Sequence, residues 1–161
     1  MLTAQTKSVD DTQALAAELA AAARPGDIIL LAGDLGAGKT TFVQGFGRAL
    51  GVTEPITSPT FVIVHTYDGT FPIVHVDAYR LEHLQELLDL GVGELLDHEG
   101  VTLIEWGDVV IRALPPEFLE VRLELGDDDD ERILRLRSAG ASWAARDDAL
   151  HGALDRWLAE P

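Results

Sequence analysis

Eight consecutive residues, Gly33-Asp34-Leu35-Gly36-Ala37-Gly38-Lys39-Thr40, meet the pattern G-x-x-x-x-G-K-[ST] at every fixed position. Each residue type has a mechanical reason to be there. Glycines let the backbone close around a phosphate and turn several N–H donors inward. A helix starting directly afterwards adds its positive end. Lys39 supplies a mobile cation for the β- and γ-phosphates, and the Thr40 hydroxyl can ligate Mg²⁺. The alternative is a glycine-rich turn with an exposed lysine. Context decides against it, because an apolar strand-like run precedes the loop and a helical run follows.

Such a loop needs a carboxylate at the end of a neighbouring strand, to hold the metal's water sphere or orient a water. Two runs offer one: Ile73-Val74-His75-Val76-Asp77 and Val101-Thr102-Leu103-Ile104-Glu105. Either acid alone reads equally well as a solvated strand end or a helix cap. Beside a P-loop both are assigned to function, giving Lys39, Asp77 and Glu105 as the catalytic set. Glu105 ends the more apolar strand and is expected at Mg²⁺ with Thr40; Asp77 is expected to orient water or the γ-phosphate.

Other constellations are weaker. His75 and Asp77 share a strand face, but His-x-Asp with no cysteine and no histidine cluster is poor zinc chemistry. A hydrogen-bonded structural histidine is the better reading. Asp127 to Asp130 lacks the glycine an EF-hand needs and reads as a solvated turn. The Asn/Thr-Lys-x-Asp segment that reads guanine is absent, the nearest string being Thr6-Lys7-Ser8-Val9, so ATP is the expected nucleotide.

The elements that must position these residues follow from periodicity. Asp10 to Ala23 carries Leu15 and Leu19 one turn apart in an Ala-rich setting and is stopped by Pro25-Gly26, which predicts a helix. Ile28 to Leu31 is the unbroken apolar run of a strand buried on both faces. Thr40 to Leu50 reads as the helix after the loop. Phe61 to Tyr67 and Phe71 to Asp77 flank Asp68-Gly69, a hairpin signal. Arg80 to Leu90 reads as a helix and Val101 to Glu105 as a buried strand. Leu119, Val121, Leu123 and Leu125 alternate, as do Leu134 and Leu136 within Ile133 to Arg137, predicting a second hairpin. Ala141 to Ala159 sets Leu150, Leu154, Trp157 and Leu158 on one face of a terminal helix, with Trp143 and Trp157 as core anchors. The sum is α/β: a central, mostly parallel mixed sheet flanked by helices, with antiparallel hairpin strands.

Composition narrows the classes. The 161 residues suit one domain over 1–161, with 47% hydrophobic and 25% charged residues in the ordinary globular range. The absence of cysteine excludes disulfides, thiol catalysis and thiolate metal sites. Twelve Lys plus Arg against 28 Asp plus Glu leave a formal charge of −16, which repels a phosphate backbone, so direct sequence-specific nucleic-acid binding is not expected. Neither a secretion signal nor a membrane-spanning run is visible, so the expected address is cytoplasmic.

Four segments together resemble one family: Gly33 to Thr41, then Thr57-Ser58-Pro59-Thr60-Phe61, then His75-Val76-Asp77-Ala78-Tyr79-Arg80-Leu81, then Ile104-Glu105-Trp106. The chain is similar to TsaE (older name YjeE), the P-loop ATPase of bacterial tRNA threonylcarbamoyladenosine synthesis. The resemblance implies Thr40 and Glu105 at Mg²⁺, Asp77 near the γ-phosphate, and a switch-like loop at Ser58-Pro59-Thr60. It also implies nucleotide contacts from Gly33, Asp34, Leu35, Gly36, Ala37, Gly38, Lys39, Thr40 and Thr41, from Thr12 on the first helix, from Thr60, and from Arg132 on the late hairpin. The implied partner is the TsaB–TsaD pair, whose transferase the ATP cycle would support.

Two other functions fit a P-loop. A small-molecule kinase needs basic residues to seat an anionic acceptor, yet between Tyr79 and Gly100 the strongly basic residue is Arg80, amid Glu82, Glu86, Asp89, Glu94, Asp97 and Glu99. Only a neutral acceptor survives that. A non-catalytic ATP/ADP switch is the other.

Overall fold

The computed structural model of the chain describes residues 1–57, 64–78, 99–105, 111 and 114–159. In chain order these form β1 (Leu2–Thr6), α1 (Val9–Ala22), β2 (Ile28–Ala32), α2 (Lys39–Ala49), β3 (Val64–Tyr67), β4 (Ile73–Asp77), β5 (Val101–Glu105), β6 (Phe118–Leu125), β7 (Arg132–Ala139), α3 (Ala141–Ala144), α4 (Asp147–Leu154) and a 3-10 turn at Asp155–Trp157. The strands make one sheet in the order β1-β7-β6-β2-β5-β4-β3. Its centre, β6-β2-β5-β4, is parallel, while β3 on β4, β7 on β6 and β1 on β7 are antiparallel.

The apolar runs explain the parallel centre. Every residue of β2, β4 and β5 is buried, which requires cover on both faces. On one face Ile29, Leu31, Ile73, Val101 and Leu103 pack with Leu15, Leu19, Phe42 and Phe46. On the other, Ile28, Leu30, Val74, Val76, Ile104 and Phe118 cluster. Each fully buried Leu or Phe contributes about 1.5–3 kcal/mol. Ser8 caps α1 by accepting the Asp11 N–H at 3.0 Å. Helices α1 and α2 approach closely at Gly45, where a Cβ would stand 2.5 Å from the Cα of Gln13.

One element went unread and one expectation needs correction. The run before α1 was assigned to no element, yet Leu2–Thr6 lies in register with β7, Leu2 opposite Leu136 and Ala4 opposite Leu134. Its order comes from that ladder and from burial of Ala4 and Thr6, not from local propensity. The terminal helix predicted over Ala141 to Ala159 is broken. At Arg146 the backbone leaves the helix (φ −101°, ψ 0°) and the guanidinium grips Asp27 through two bonds of 2.7 and 2.8 Å. Beyond Trp157 the chain turns extended: Leu158 bridges Ala4 and the Ala159 N–H donates to the Thr3 carbonyl at 2.9 Å. Trp143, Leu150, Leu154 and Trp157 still enter the core as expected. The first hairpin pairs Tyr67 with Ile73, so its loop is residues 68–72. Phe61 and the Arg80 to Leu90 helix lie outside the described residues, as do Ser58, Pro59, Thr60, Tyr79, Arg80 and Trp106.

Candidate nucleotide site

The glycine loop runs from the end of β2 to the start of α2, as its sequence context predicts. Gly33 cannot carry a side chain, since a Cβ there would meet the Leu123 carbonyl oxygen at 2.6 Å. Gly38 stands at the α2 N-cap with φ +106°, a left-handed conformation that favours glycine, and no side chain caps that end. The loop thus delivers an uncapped helix N-terminus to whatever anion sits in front of it. Thr40 and Thr41 occupy the first turn of α2, partly exposed, and Asp34, Leu35 and Gly36 form the exposed tip.

Lys39 departs from expectation. It is buried, only 6% exposed, and its Nζ donates to the carbonyls of Gly33 at 2.6 Å and Asp34 at 3.0 Å. The ammonium therefore folds back over its own loop. Burial lowers its pKa below the ordinary 10.5, against the pull of Glu105, Asp77 and Asp34, which favour the charged form. That opposition places the two strand-end acids in the electrostatic neighbourhood of the P-loop lysine.

Both acids are where the strand pattern puts them. Asp77 and Glu105 are partners in the parallel β4–β5 register, side by side at the strand ends and both buried. Alternation along the strands sets them on the face that carries Ile73, Val101 and Leu103, the face covered by α1 and α2. His75 shares that face. Its Nε2 lies 2.9 Å from Glu105 Oε2, with the two side chains 0% and 4% exposed. The expected hydrogen-bonded histidine is present, and its partner is the site acid. Sequence reasoning missed that pairing; the signal was the parity of His75, Asp77 and Glu105 on neighbouring strands.

Arg132 also comes to the loop. From the start of β7 its Nε donates to the Ala37 carbonyl at 2.9 Å and its NH2 to that of Gly36 at 3.4 Å, while NH1 holds the Asp129 and Glu131 carbonyls at 2.7 and 2.8 Å. Thr12 sits differently: it is buried on α1, its Oγ1 2.7 Å from Oγ1 of Thr6. Thr60 lies outside the described residues.

The donors suit a magnesium nucleotide. Thr40, Asp77 and Glu105 offer hard oxygen, and among the described residues no group of three or more His, Asp or Glu could enclose a metal by itself. A cation held by one or two side chains plus phosphate and water is the arrangement Mg²⁺ favours. Among the described residues no helix is long and apolar enough to cross a membrane.

The comparisons with known proteins agree with this geometry. The family model described as "Threonylcarbamoyl adenosine biosynthesis protein TsaE" matches residues 6–134. A Bacillus subtilis protein named tRNA threonylcarbamoyladenosine biosynthesis protein TsaE is 44% identical over 130 residues, covering 80% of this chain and 81% of the relative. A Streptomyces coelicolor protein of the same name is 42% identical over 141 residues, covering 83% and 94%. The crystal structure of Bacillus subtilis YdiB superposes with a TM-score of 0.78 at 36% identity, covering 96% of this chain and 94% of that one. Walker loop, strand-end acids, sheet order and sequence likeness converge: this chain belongs to the TsaE family, a nucleotide-binding P-loop fold.

Proposed function

We propose that this protein binds ATP with Mg²⁺, hydrolyses it slowly, and through that cycle supports the TsaB–TsaD transferase that makes threonylcarbamoyladenosine in tRNA. The observation that carries the reading is the meeting, on a TsaE chain, of a Walker loop with two buried carboxylates side by side on adjacent parallel strands. Lys39 exchanges its hold on the Gly33 and Asp34 carbonyls for the phosphates, while loop amides and the α2 N-terminus receive the rest of the phosphate charge. Thr40 and Glu105 would hold Mg²⁺, which when bound would draw off charge developing on the phosphate oxygens. Asp77 orients water or the γ-phosphate. Thr12, Thr41, Thr60 and Arg132 complete the nucleotide contacts within a single domain.

Slow turnover alone is supported by the way Arg132 is held. Its guanidinium is spread over four backbone carbonyls, a brace for the loop rather than a cation aimed at a transition state. A partner that completes such a site raises turnover roughly 10³–10⁵-fold in well-studied NTPases. The charge of −16 disfavours direct contact with the tRNA backbone and supports a cytoplasmic accessory role in which the partner holds the tRNA. Steady-state ATP hydrolysis, measured alone and with purified TsaB–TsaD, tests the reading. Stimulation by the pair is expected; full activity alone, indifferent to the pair, would overturn it.

A further inference from the structure

We infer that His75 is a positioning residue for Glu105, fixing one carboxylate oxygen so that the other is presented to the metal; this rests on the Mg²⁺ role proposed above for Glu105. As a metal ligand Glu105 is a carboxylate whose oxygens only accept, and in that role the 2.9 Å contact makes His75 Nε2 the donor. The imidazole is 0% exposed, and among the described residues its other nitrogen, Nδ1, has no hydrogen-bond partner. An orphaned buried polar atom is destabilising, a cost that an apolar side chain of similar volume would avoid. Packing therefore does not explain a histidine here. What the histidine adds is one directed bond to one acid, made across two strands whose register is fixed along their whole length.

The arrangement has a chemical logic. A carboxylate that rotates about its last torsion samples many oxygen positions, and each must be restricted when a metal binds. Holding Oε2 from behind removes that freedom in advance, and outer partners of this kind are worth about 10–100-fold in metal affinity. His75 touches neither phosphate nor metal in this account; it acts through Glu105.

The test compares His75→Leu, which keeps volume and removes the donor, with His75→Gln, whose amide can restore a donor near the Nε2 position. ADP is titrated in EDTA, and Mg²⁺ is then titrated into the ADP complex. His75→Leu should leave metal-free ADP affinity unchanged and raise half-saturating Mg²⁺ about tenfold, with His75→Gln recovering most of the loss. An unshifted Mg²⁺ requirement in His75→Leu, or a folded His75→Gln as impaired as His75→Leu, overturns the inference while leaving the ATPase reading intact. No Mg²⁺ response in the unsubstituted chain would sink that reading and the inference with it. Should His75→Leu not fold, histidine ring ¹⁵N spectra of the unsubstituted protein decide. The His75 signals should report an Nε2–H tautomer and move when Mg²⁺ is added to the ADP complex; signals indifferent to Mg²⁺ overturn the proposal.

Discussion

Arg132 Nε and the Ala37 carbonyl lie 2.9 Å apart although 95 residues separate them, so a hydrogen bond ties the turn of the β6–β7 hairpin to the P-loop. Replacing Arg132 with Ala should release the loop without touching the core. A net hydrogen bond is worth about 1 kcal/mol, so ADP affinity should fall roughly five- to tenfold. Lysine should not rescue it, lacking the fork that spans several carbonyls. Calorimetric ADP titration of both variants checks this, and amide exchange at Gly36 and Ala37 should quicken in each.

Lys39→Ala should weaken Mg·ATP binding about 10–100-fold, the scale of charge-assisted hydrogen bonds to phosphate. Because the Lys39 stem is buried, a modest drop in melting temperature should accompany it. Unchanged binding and turnover in a folded variant would remove the P-loop from the mechanism.

Asp77 and Glu105 should fail differently. Glu105→Ala should raise half-saturating Mg²⁺ at least about tenfold and lower turnover. Asp77→Asn should bind ATP nearly normally and hydrolyse it roughly 10²-fold more slowly, since losing a transition-state contact spares ground-state binding. Dissociation constants and single-turnover rates for both variants decide, and the reverse pattern would exchange the roles.

Tyr67 should leave an alkaline signature in stability. Burial pushes its phenol above the ordinary 10.0, the Thr57 amide opposes this, and Glu54 and Glu105 add to it. Above pH 10.0 the unfolded chain therefore loses a proton that the folded chain keeps. Stability present below that pH is lost as pH climbs through the folded value, by up to about 1.4 kcal/mol per pH unit. Urea unfolding of Tyr67→Phe between pH 9 and 11 should show a shallower decline than the unsubstituted chain.

Arg146→Leu should cost about 3–5 kcal/mol, because Asp27 would keep a buried charge without its partner. Below the lowered melting temperature, ADP affinity should be unchanged. Thermal unfolding and ADP titration at a permissive temperature separate the two effects.

The legible parts of this molecule were those written in short range. The loop pattern, the all-apolar strands β2, β4 and β5, and the alternation in β6 and β7 each contain their own periodicity, so element type and the place of Asp77 and Glu105 followed from the chain. What did not follow depends on contacts between distant residues. Leu2–Thr6 is a strand because β7 is there to receive it. The terminal helix breaks at Arg146, whose guanidinium is bound to Asp27, 119 residues earlier. His75 and Glu105 meet only once the order β5-β4 and its register are set. Lys39 was expected to be a mobile cation, and no local pattern reveals that its own loop carbonyls would hold it.

The bridge from Leu158 to Ala4 and the bond from Ala159 to Thr3 occupy the outer rim of β1. An open rim is a template on which another chain can polymerise, and nothing in β1 itself, with polar Thr3 and Gln5 beside Leu2, would repel a newcomer by charge. The short extended segment at Leu158 and Ala159 thus covers part of that rim, taking up backbone groups on which such growth would start.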